Sequence, residues 1–505
     1  MTSLPHGWTA AAISDLVDAG PKNDCPDSTE VGFVPMQRMG TRFREVPTFE
    51  VRRWSAVKKG YTPFADGDVL LARITPCFEN GKGGIPRGLP NGLGAGSTEF
   101  VVLRPKQSAL VPEYLLALLK TDQFLSDGKA SMTGAVGQQR VPKSLIFGYK
   151  INLAPYGEQQ RIADKLDVLL AKVDACRERL DRVPAILKRF REAVLEAAVS
   201  GRLTEEWREL NPALVDASAD VSAIGRSHAD AGGHRRGNAA PPTNDVHDLE
   251  SSAFPSGWGL VDLRELVDPA RPITYGILKP GPELADGVPY VRVADFPSER
   301  LNLDTIRRTS PKIDQEFRRS RLRPGDLLLS IRGSVGRLIV IPMELDGANI
   351  TQDSARLAIQ ESVEPRYVLW FLRSNIAQSR MQRAVKGVAV RGINIGDVRA
   401  LQVPLPSRYE QREIARRVDE LFALADGLEG KYRVAVERVE RLTPAVLAKA
   451  FRGELVPQDP NDEPAAMLLE RIRAERESVA STTSISRTRA KTRGPVKRIT
   501  RRAKK

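Results

Sequence analysis

The strongest constraint on this 505-residue chain is that it is written twice. The stretch YGEQQRIADKLDVLLAKVD, Tyr156 to Asp174, returns 252 positions later as RYEQREIARRVDELFALAD, Arg408 to Asp426. Glu158, Gln159, Ile162, Ala163, Asp167, Leu169, Ala171 and Asp174 all meet an identical partner there. Upstream, Gly7-Trp8 returns as Gly257-Trp258, and DLVD from Asp15 as ELVD from Glu265. GDVLLARITP from Gly67 returns as GDLLLSIRGS from Gly325, and PEYLLALLKT from Pro112 as PRYVLWFLRS from Pro365. A repeat of this period fixes the architecture before any single motif does. The offset drifts between 250 and 258 in the front of each half and then holds at 252 from Glu158 to Leu203. Each half therefore reads as a variable module followed by a fixed one: one part discriminates and one part holds.

The fixed modules carry a heptad seam. Apolar residues fall at Ile162, Leu166, Leu169, Val173, Cys176, Leu180, Val183, Leu187, Phe190 and Val194, in steps of four and three. The second copy keeps the phase at Ile414, Val418, Leu421, Ala425, Leu428, Tyr432, Ala435, Val439, Leu442 and Val446. Such a seam predicts a coiled coil. Neither copy can bury itself alone, so each is expected to cover the other within the chain. Antiparallel packing is the preferred arrangement, because the chain must pass through a whole domain before the second helix begins. Cys176, at a seam position, reads as a small buried hydrophobe. Pro184 and Pro444 each remove an amide donor and crowd the preceding turn, so both helices are expected to break there. Thr443 would then be the N-cap of a restarted helix and Pro444 its first residue. Glu158 to Val183 spans 26 positions, about 39 Å of helix at ~1.5 Å per residue, close to the roughly 34–36 Å of one B-DNA turn.

The variable modules mix short β-rich runs (VLLARI at Val69, FVVLRP at Phe100, LLLSIRG at Leu327, RLIVIP at Arg337) with one helix each, PEYLLALLKTDQFL or PRYVLWFLRSNIAQ. That is an α+β domain of about 150 residues, an ordinary size. Four loops combine glycine with basic or amide side chains: RITPCFENGKGG from Arg73, TGAVGQQR from Thr133, RGSVGR from Arg332 and KGVAVRGIN from Lys386. Glycine lets backbone amides approach phosphate, while Arg, Gln and Asn can read base edges in the major groove. A glycine turn carrying a solvated Arg is the commoner meaning of any one such loop. Their occurrence at corresponding places in both halves favours nucleic acid.

Composition bounds the function classes. Length suggests about three domains, and no run approaches the roughly 18 apolar residues of a membrane span. MTSLPHGWTA has neither a basic nor an apolar leader region, and the three cysteines Cys25, Cys77 and Cys176 are widely spaced. Both point to a reducing cytoplasm. The net charge of +14 owes ten charges to a tail, Ser481 to Lys505, that contains no acid, which reads as a disordered, non-specific polyanion tether. Of four histidines, His228, His234 and His247 fall in the Ala/Gly/Asp/Ser-rich stretch Asn211 to Ser252, expected to be a flexible linker. Only His6 lies elsewhere, which argues against a histidine-based nucleophile or zinc site. There is no GxxxxGK[ST], no HExxH and no GxGxxG after a strand. The Asn-Pro-Pro-aromatic motif of adenine methyltransferases is missing as well.

The order of variable domain, EQ-x-x-I-A helix, variable domain, EQ-x-x-I-A helix resembles the specificity subunit of type I restriction-modification systems over nearly the whole chain. The doubled Glu158-Gln159 and Glu410-Gln411 and the closing AFRGELVPQDPNDEPAAMLLERI, Ala450 to Ile472, carry the resemblance. It implies an α+β fold in which two α/β target-recognition domains alternate with two long conserved helices that pair as an antiparallel intramolecular coiled coil, a pseudo-twofold repeat. The corresponding segments are 1–152 and 254–404 for recognition, 153–210 and 405–478 for the helical regions, 211–253 for a linker and 479–505 for the basic tail. The function implied is non-catalytic reading of double-stranded DNA, one domain per half of an asymmetric bipartite site. The helices would set the spacer and dock two adenine-methyltransferase modification subunits, with two motor-nuclease restriction subunits joining for cleavage. S-adenosylmethionine, ATP and Mg would belong to those partners and none to this chain. Mapped onto the loops, Arg73, Lys82, Gln138, Gln139 and Arg140 are the candidates for the first half-site, and Arg332, Ser334, Arg337, Arg391 and Asn394 for the second. Glu158, Gln159, Ile162, Leu166, Leu169 and Val173, with Glu410, Gln411, Ile414, Val418 and Leu421, are assigned to the helix seam or partner contact. The chain departs from the simplest plan in its long linker, its basic tail and a first copy ending GRLTEEWREL where the second has GELVPQDP. The competing expectation is a coiled-coil adaptor or regulatory protein whose duplicated domains bind protein.

Overall fold

The computed structural model describes residues 4–135, 137–230, 250, 253–297, 299–386 and 391–476. The chain divides into two units: residues up to Asp181 together with those from Arg433 onward, and Arg182–Tyr432. The division falls within the fixed modules, so each unit holds one variable module and a stretch of both long helices.

In the first unit, β1 (Thr9–Ala12) pairs antiparallel with β10 (Lys150–Leu153), joining the start of the variable module to its end. One four-stranded sheet runs in the order β2 (Val17–Ala19), β9 (Phe100–Pro105), β6 (Val69–Ala72), β7 (Gly83–Gly84). The other runs β4 (Glu50–Arg53), β3 (Glu30–Val34), β8 (Leu93–Gly96), β5 (Thr62–Ala65), with β3 and β8 parallel. VLLARI and FVVLRP thus form the adjacent strands β6 and β9, buried along most of their length, as continuous apolar runs should be. PEYLLALLKTDQFL is two helices, α1 (Pro112–Leu119) and α2 (Asp122–Ala130), not one. Thr121 is the cause: its hydroxyl accepts from the Phe124 amide and caps the second helix. The long α3 (Tyr156–Leu180) buries Ile162, Leu166 and Leu170 in the same core as Tyr114 to Leu119 and as Leu447 and Ala450 of the second long helix.

The second unit repeats the plan. After α4 (Val183–Val199) comes α5 (Ser218–Asp230), then β11 (Gly259–Asp262), which pairs with β19 (Gln402–Leu405). The sheets are β12 (Thr274–Tyr275), β18 (Ser354–Leu357), β15 (Leu327–Ser330), β16 (Leu338–Val340), and β14 (Arg307–Thr309), β13 (Val288–Val291), β17 (Asn349–Ile350). The expected single helix again splits, into α6 (Pro365–Arg373) and α7 (Asn375–Arg383), capped by Ser374. The second long helix, α8, runs from Arg408 to Phe451.

The long helices pair antiparallel in each unit. In the first, Arg161 near the start of α3 binds Asp462, while Arg177 near its end donates to Thr443. In the second, Arg191 of α4 binds Asp426 and Glu429, and Arg417 donates to the Leu203 carbonyl beyond the end of α4. Three expectations need correction. Pro184 does separate α3 from α4, but Pro444 lies inside an unbroken α8, so Thr443 is not the cap of a new helix. Cys176 is exposed rather than buried, and Leu428 and Leu442 are also open to solvent. The apolar stripe is buried where the variable modules cover it, and it opens toward the middle of the helices. Finally, the segment 211–253 is not a flexible linker over its first part: Ala217 and, within α5, Ile224 are buried in the second unit, while residues 231–249 and 251–252 of that segment lie outside the described residues, as does the basic tail 479–505.

Helix α5 has a counterpart. In the first unit a helix over residues 465–476 buries Ala465, Leu468, Leu469 and Ile472. The Ala465 amide donates to the Gly7 carbonyl at 2.8 Å, as the Ala217 amide donates to Gly257 at 3.0 Å. Arg476 donates to the Ser14 carbonyl and pairs with Asp15, and His228 binds the Glu265 and Val267 carbonyls. Each unit's entry segment is therefore clasped by the segment that follows the long helix of the other half of the sequence. The Ala-, Ser- and Gly-rich composition, which reads as a linker, hides this clasp in the first copy, although Ala217, Val221 and Ile224 keep a helical spacing.

Candidate nucleic-acid interface

The EQ motif does not lie on the seam. Glu158 and Gln159, Glu410 and Gln411 sit in the first turn of α3 and α8, fully buried against the recognition module. Trp8 Nε1 donates to Glu158 Oε2 and Trp258 Nε1 to Glu410 Oε2, each at 2.9 Å. Gln159 accepts from the Val111 amide and donates to the Ala109 and Ala154 carbonyls. Gln411 accepts from the Glu364 amide and donates to the Pro406 carbonyl. The recurring GW and EQ pairs are thus two ends of one latch, which ties the module's first turn and the cap of α1 or α6 to the long helix. Tyr114 and Tyr367 add a hydroxyl bond to the Asn152 and Pro404 carbonyls. Of the expected seam residues, Ile162, Leu166, Val173, Ile414 and Val418 are buried, while Leu169 and Leu421 are half-buried.

The two carboxylates differ. Glu410 also receives Thr204 Oγ1 and Arg208 Nη1, both at 2.6 Å, so both its oxygens are bonded. Among the described residues Glu158 has only the indole bond, and its Oε1 has no partner. Burial pushes the Glu158 carboxyl up, the Trp8 bond and Arg161 pull it back, and Asp462 raises it further.

The glycine loops come together in each unit by the same backbone scheme. Ile74 bridges Arg140, and the Thr75 amide donates to the Gln139 carbonyl at 2.9 Å. In the second unit Arg332 bridges Gly392, and the Gly333 amide donates to the Arg391 carbonyl at 2.9 Å. Val141 to Arg73 and Ile393 to Ile331 repeat the next bond, and Thr133–Arg140 and Lys386–Gly392 close the hairpins. Matching positions therefore carry different side chains: Arg140 faces Gly392 in this correspondence, Gln139 faces Arg391, Ile74 faces Arg332 and Glu99 faces Asp353.

The individual candidates are placed as follows. Gln138 is exposed and Gln139 half-buried. Arg140 grips Glu99 through Nε and Nη2, and Arg73 Nε lies 3.4 Å from the same carboxylate. Lys82 donates to the Met36 carbonyl at 3.1 Å, which holds its loop down. Arg332 is exposed and donates to Gln352. Ser334 and Arg337 meet through Ser330, whose hydroxyl donates to the Ser334 carbonyl and accepts the Arg337 amide. Arg391 and Asn394 are exposed, and Gly387–Val390 beside them lie outside the described residues. Sequence reasoning missed Glu99, Asp68 and Asp326. The last two belong to the repeated Gly-Asp pair and take bidentate bonds from Arg104 and Arg271, a signal present in the repeat.

The sequence model for the type I restriction modification DNA specificity domain matches residues 5–185 and again 257–438. The chain belongs to this family. Each matched copy of the specificity domain contains one GW-EQ latch and one pair of glycine loops. Among relatives, the type I restriction enzyme EcoBI specificity subunit of Escherichia coli is 36% identical over 333 residues, which cover 64% of this chain and 64% of that one, just under two thirds of its length. The EcoKI specificity subunit of Escherichia coli strain K12 is 30% identical over 74% of each chain. The crystal structure of the HsdS subunit from Thermoanaerobacter tengcongensis has the same fold, with a TM-score of 0.56 and 21% identity over 90% of this chain and 98% of that one. Among the described residues no helix is long and apolar enough to cross a membrane.

Proposed function

We propose that the chain is the DNA-reading subunit of a type I restriction-modification complex, with each unit reading one half of an asymmetric bipartite site. The observation that supports this best is the loop pair: one backbone frame, present twice, displaying Gln139 and Arg140 in one unit and Arg391 and Gly392 in the other. A common frame with different side chains is what two half-sites of unequal sequence require, since base edges are read by side chains and backbone position by the scaffold. The relatives are named as subunits of restriction enzymes. On that basis this chain supplies recognition without catalysis, and two adenine-methyltransferase subunits and two motor-nuclease subunits supply S-adenosylmethionine, ATP and Mg chemistry. The solvent-facing apolar residues Val168, Leu424, Leu428, Val434 and Leu442 on the long helices offer those partners a surface.

The test is to co-purify the chain with its methyltransferase partner and map methylated adenines across genomic DNA by single-molecule sequencing. A motif of two fixed halves separated by an unread spacer of constant length is expected. An uninterrupted motif, or no methylation, contradicts the proposal. An adaptor that binds protein would leave duplex binding unchanged when the glycine loops are replaced.

A further inference from the structure

The Arg140 side chain is held in one place by Glu99 and by the Gln138 carbonyl of its own hairpin. Its guanidinium carries five N–H donors. Nε is shared between Glu99 Oε1 and Oε2 at 3.0 and 3.1 Å, one Nη2 hydrogen goes to Glu99 Oε1 at 2.9 Å, and one Nη1 hydrogen goes to the Gln138 carbonyl at 2.9 Å. Three donors are spent inside the protein, which leaves one on each terminal nitrogen. With the Nη1 hydrogen on the Cδ side taken by Gln138, the two remaining hydrogens, one on each Nη, form the end-on fork that fits the O6 and N7 acceptors of guanine in the major groove, and this assignment is part of the proposal below. Arg140 keeps 38% of its side chain exposed, whereas Glu99, between Arg140 and Arg73, keeps 20%. The Glu99 backbone is fixed too, because its carbonyl accepts the Arg73 amide at 3.0 Å.

Among the described residues the second unit has no such arrangement at the matching place. Gly392 occupies the place of Arg140, and exposed Arg391 has no carboxylate partner among the described residues.

Resting on the reading of this chain as a DNA-recognition subunit, we propose that Glu99 is a positioning residue that pre-orients Arg140 to read one guanine of the half-site recognised by the first unit. Fixing the fork in advance removes the rotamer entropy an exposed arginine loses on binding. The carboxylate also repels phosphate, so an arginine held this way is reserved for a base edge rather than the backbone. Glu99→Gln replaces one acceptor oxygen by an N–H donor that opposes the guanidinium, and so frees Arg140 without emptying the site.

The experiment is selection from a random double-stranded DNA library by the purified full-length chain, comparing the unaltered protein with Glu99→Gln and Arg140→Ala. The unaltered chain is expected to select a bipartite motif with guanine at one position of one half. Both variants should relax that same position by about ten-fold or more and leave every other position unchanged. A merely structural Glu99 would instead lower binding to all sequences together. If Arg140→Ala keeps the guanine, or Glu99→Gln relaxes a different position or none, the pre-orientation idea is overturned while DNA reading stands. If the unaltered chain selects nothing, both proposals fall together.

Discussion

The two latches are built from the same four residue types and yet are not equivalent. In the second unit Glu410 is held by Trp258, Thr204 and Arg208. In the first, among the described residues, Glu158 is held by Trp8 alone, with Oε1 unpartnered. The difference traces to the sequence after the first long helix, where GRLTEEWREL supplies Thr204 and Arg208 and the second copy has GELVPQDP instead. At matching offset Val456 stands in the place of Thr204, and a valine side chain has nothing to donate. A buried carboxylate costs free energy unless its lone pairs are met. The Glu410 latch is a satisfied ion-pair network, and the Glu158 latch is a carboxyl that burial drives toward its protonated form. The same motif can therefore be a rigid lock in one unit and a looser one in the other.

The largest test of this contrast is Glu410→Ala. It removes the fully buried carboxylate, strands the half-buried Arg208 and Trp258 donors and should destabilise the second unit by roughly 3–5 kcal/mol, read as lost hydrogen-exchange protection in α6 and β19. A loss no greater than that of Glu158→Ala in the first unit would erase the distinction. Next in size is Trp8→Phe, which takes the only donor from Glu158 among the described residues and should cost about 1–3 kcal/mol. Trp258→Phe should cost less, since Glu410 keeps two donors. The smallest effect is Glu158→Gln, within about 1 kcal/mol at neutral pH, because the amide still accepts from Trp8. Its signature lies in pH. The folded state holds the Glu158 proton where the unfolded chain has released it, so this group's contribution is full below the ordinary glutamate range and declines as pH rises from about 4.5 through the raised value. The stability difference, Glu158→Gln minus unaltered chain, should therefore grow in favour of the variant over that rise, by urea midpoints. A flat difference would mean the carboxyl titrates normally.

Much of this was legible beforehand because duplication turns each motif into its own control. The repeat pointed to two α+β modules and two antiparallel helices, and the four glycine loops fell at corresponding places in both halves, while the meeting of the two loops within each half is seen only in the structure. Side-chain partners were not legible. Glu158 and Gln159 occupy helix positions next to a heptad seam, and periodicity alone cannot tell a seam residue from one facing the recognition module over the first turn. The α5 clasp was lost to composition, since Ala, Ser and Gly in 211–230 look like a linker until Gly257 and Glu265 supply the carbonyls that Ala217 and His228 bind. Thr121 and Ser374 read as ordinary polar positions within one helix, whereas each hydroxyl ends one helix and starts another. Glu99 carries no motif at all. Only the pairing of β6 with β9 and the Ile74–Arg140 bridge bring it to Arg140.

The claim that two separately latched frames read two separate half-sites meets its most direct test in one exchange. Residues 1–152, with Trp8 and Glu158 kept, are replaced by the recognition module of another specificity subunit, and methylated adenines are mapped in cells carrying the chimaera with its modification partner. One half of the motif should change, with the other half and the spacer length kept. A change in both halves would contradict independent reading.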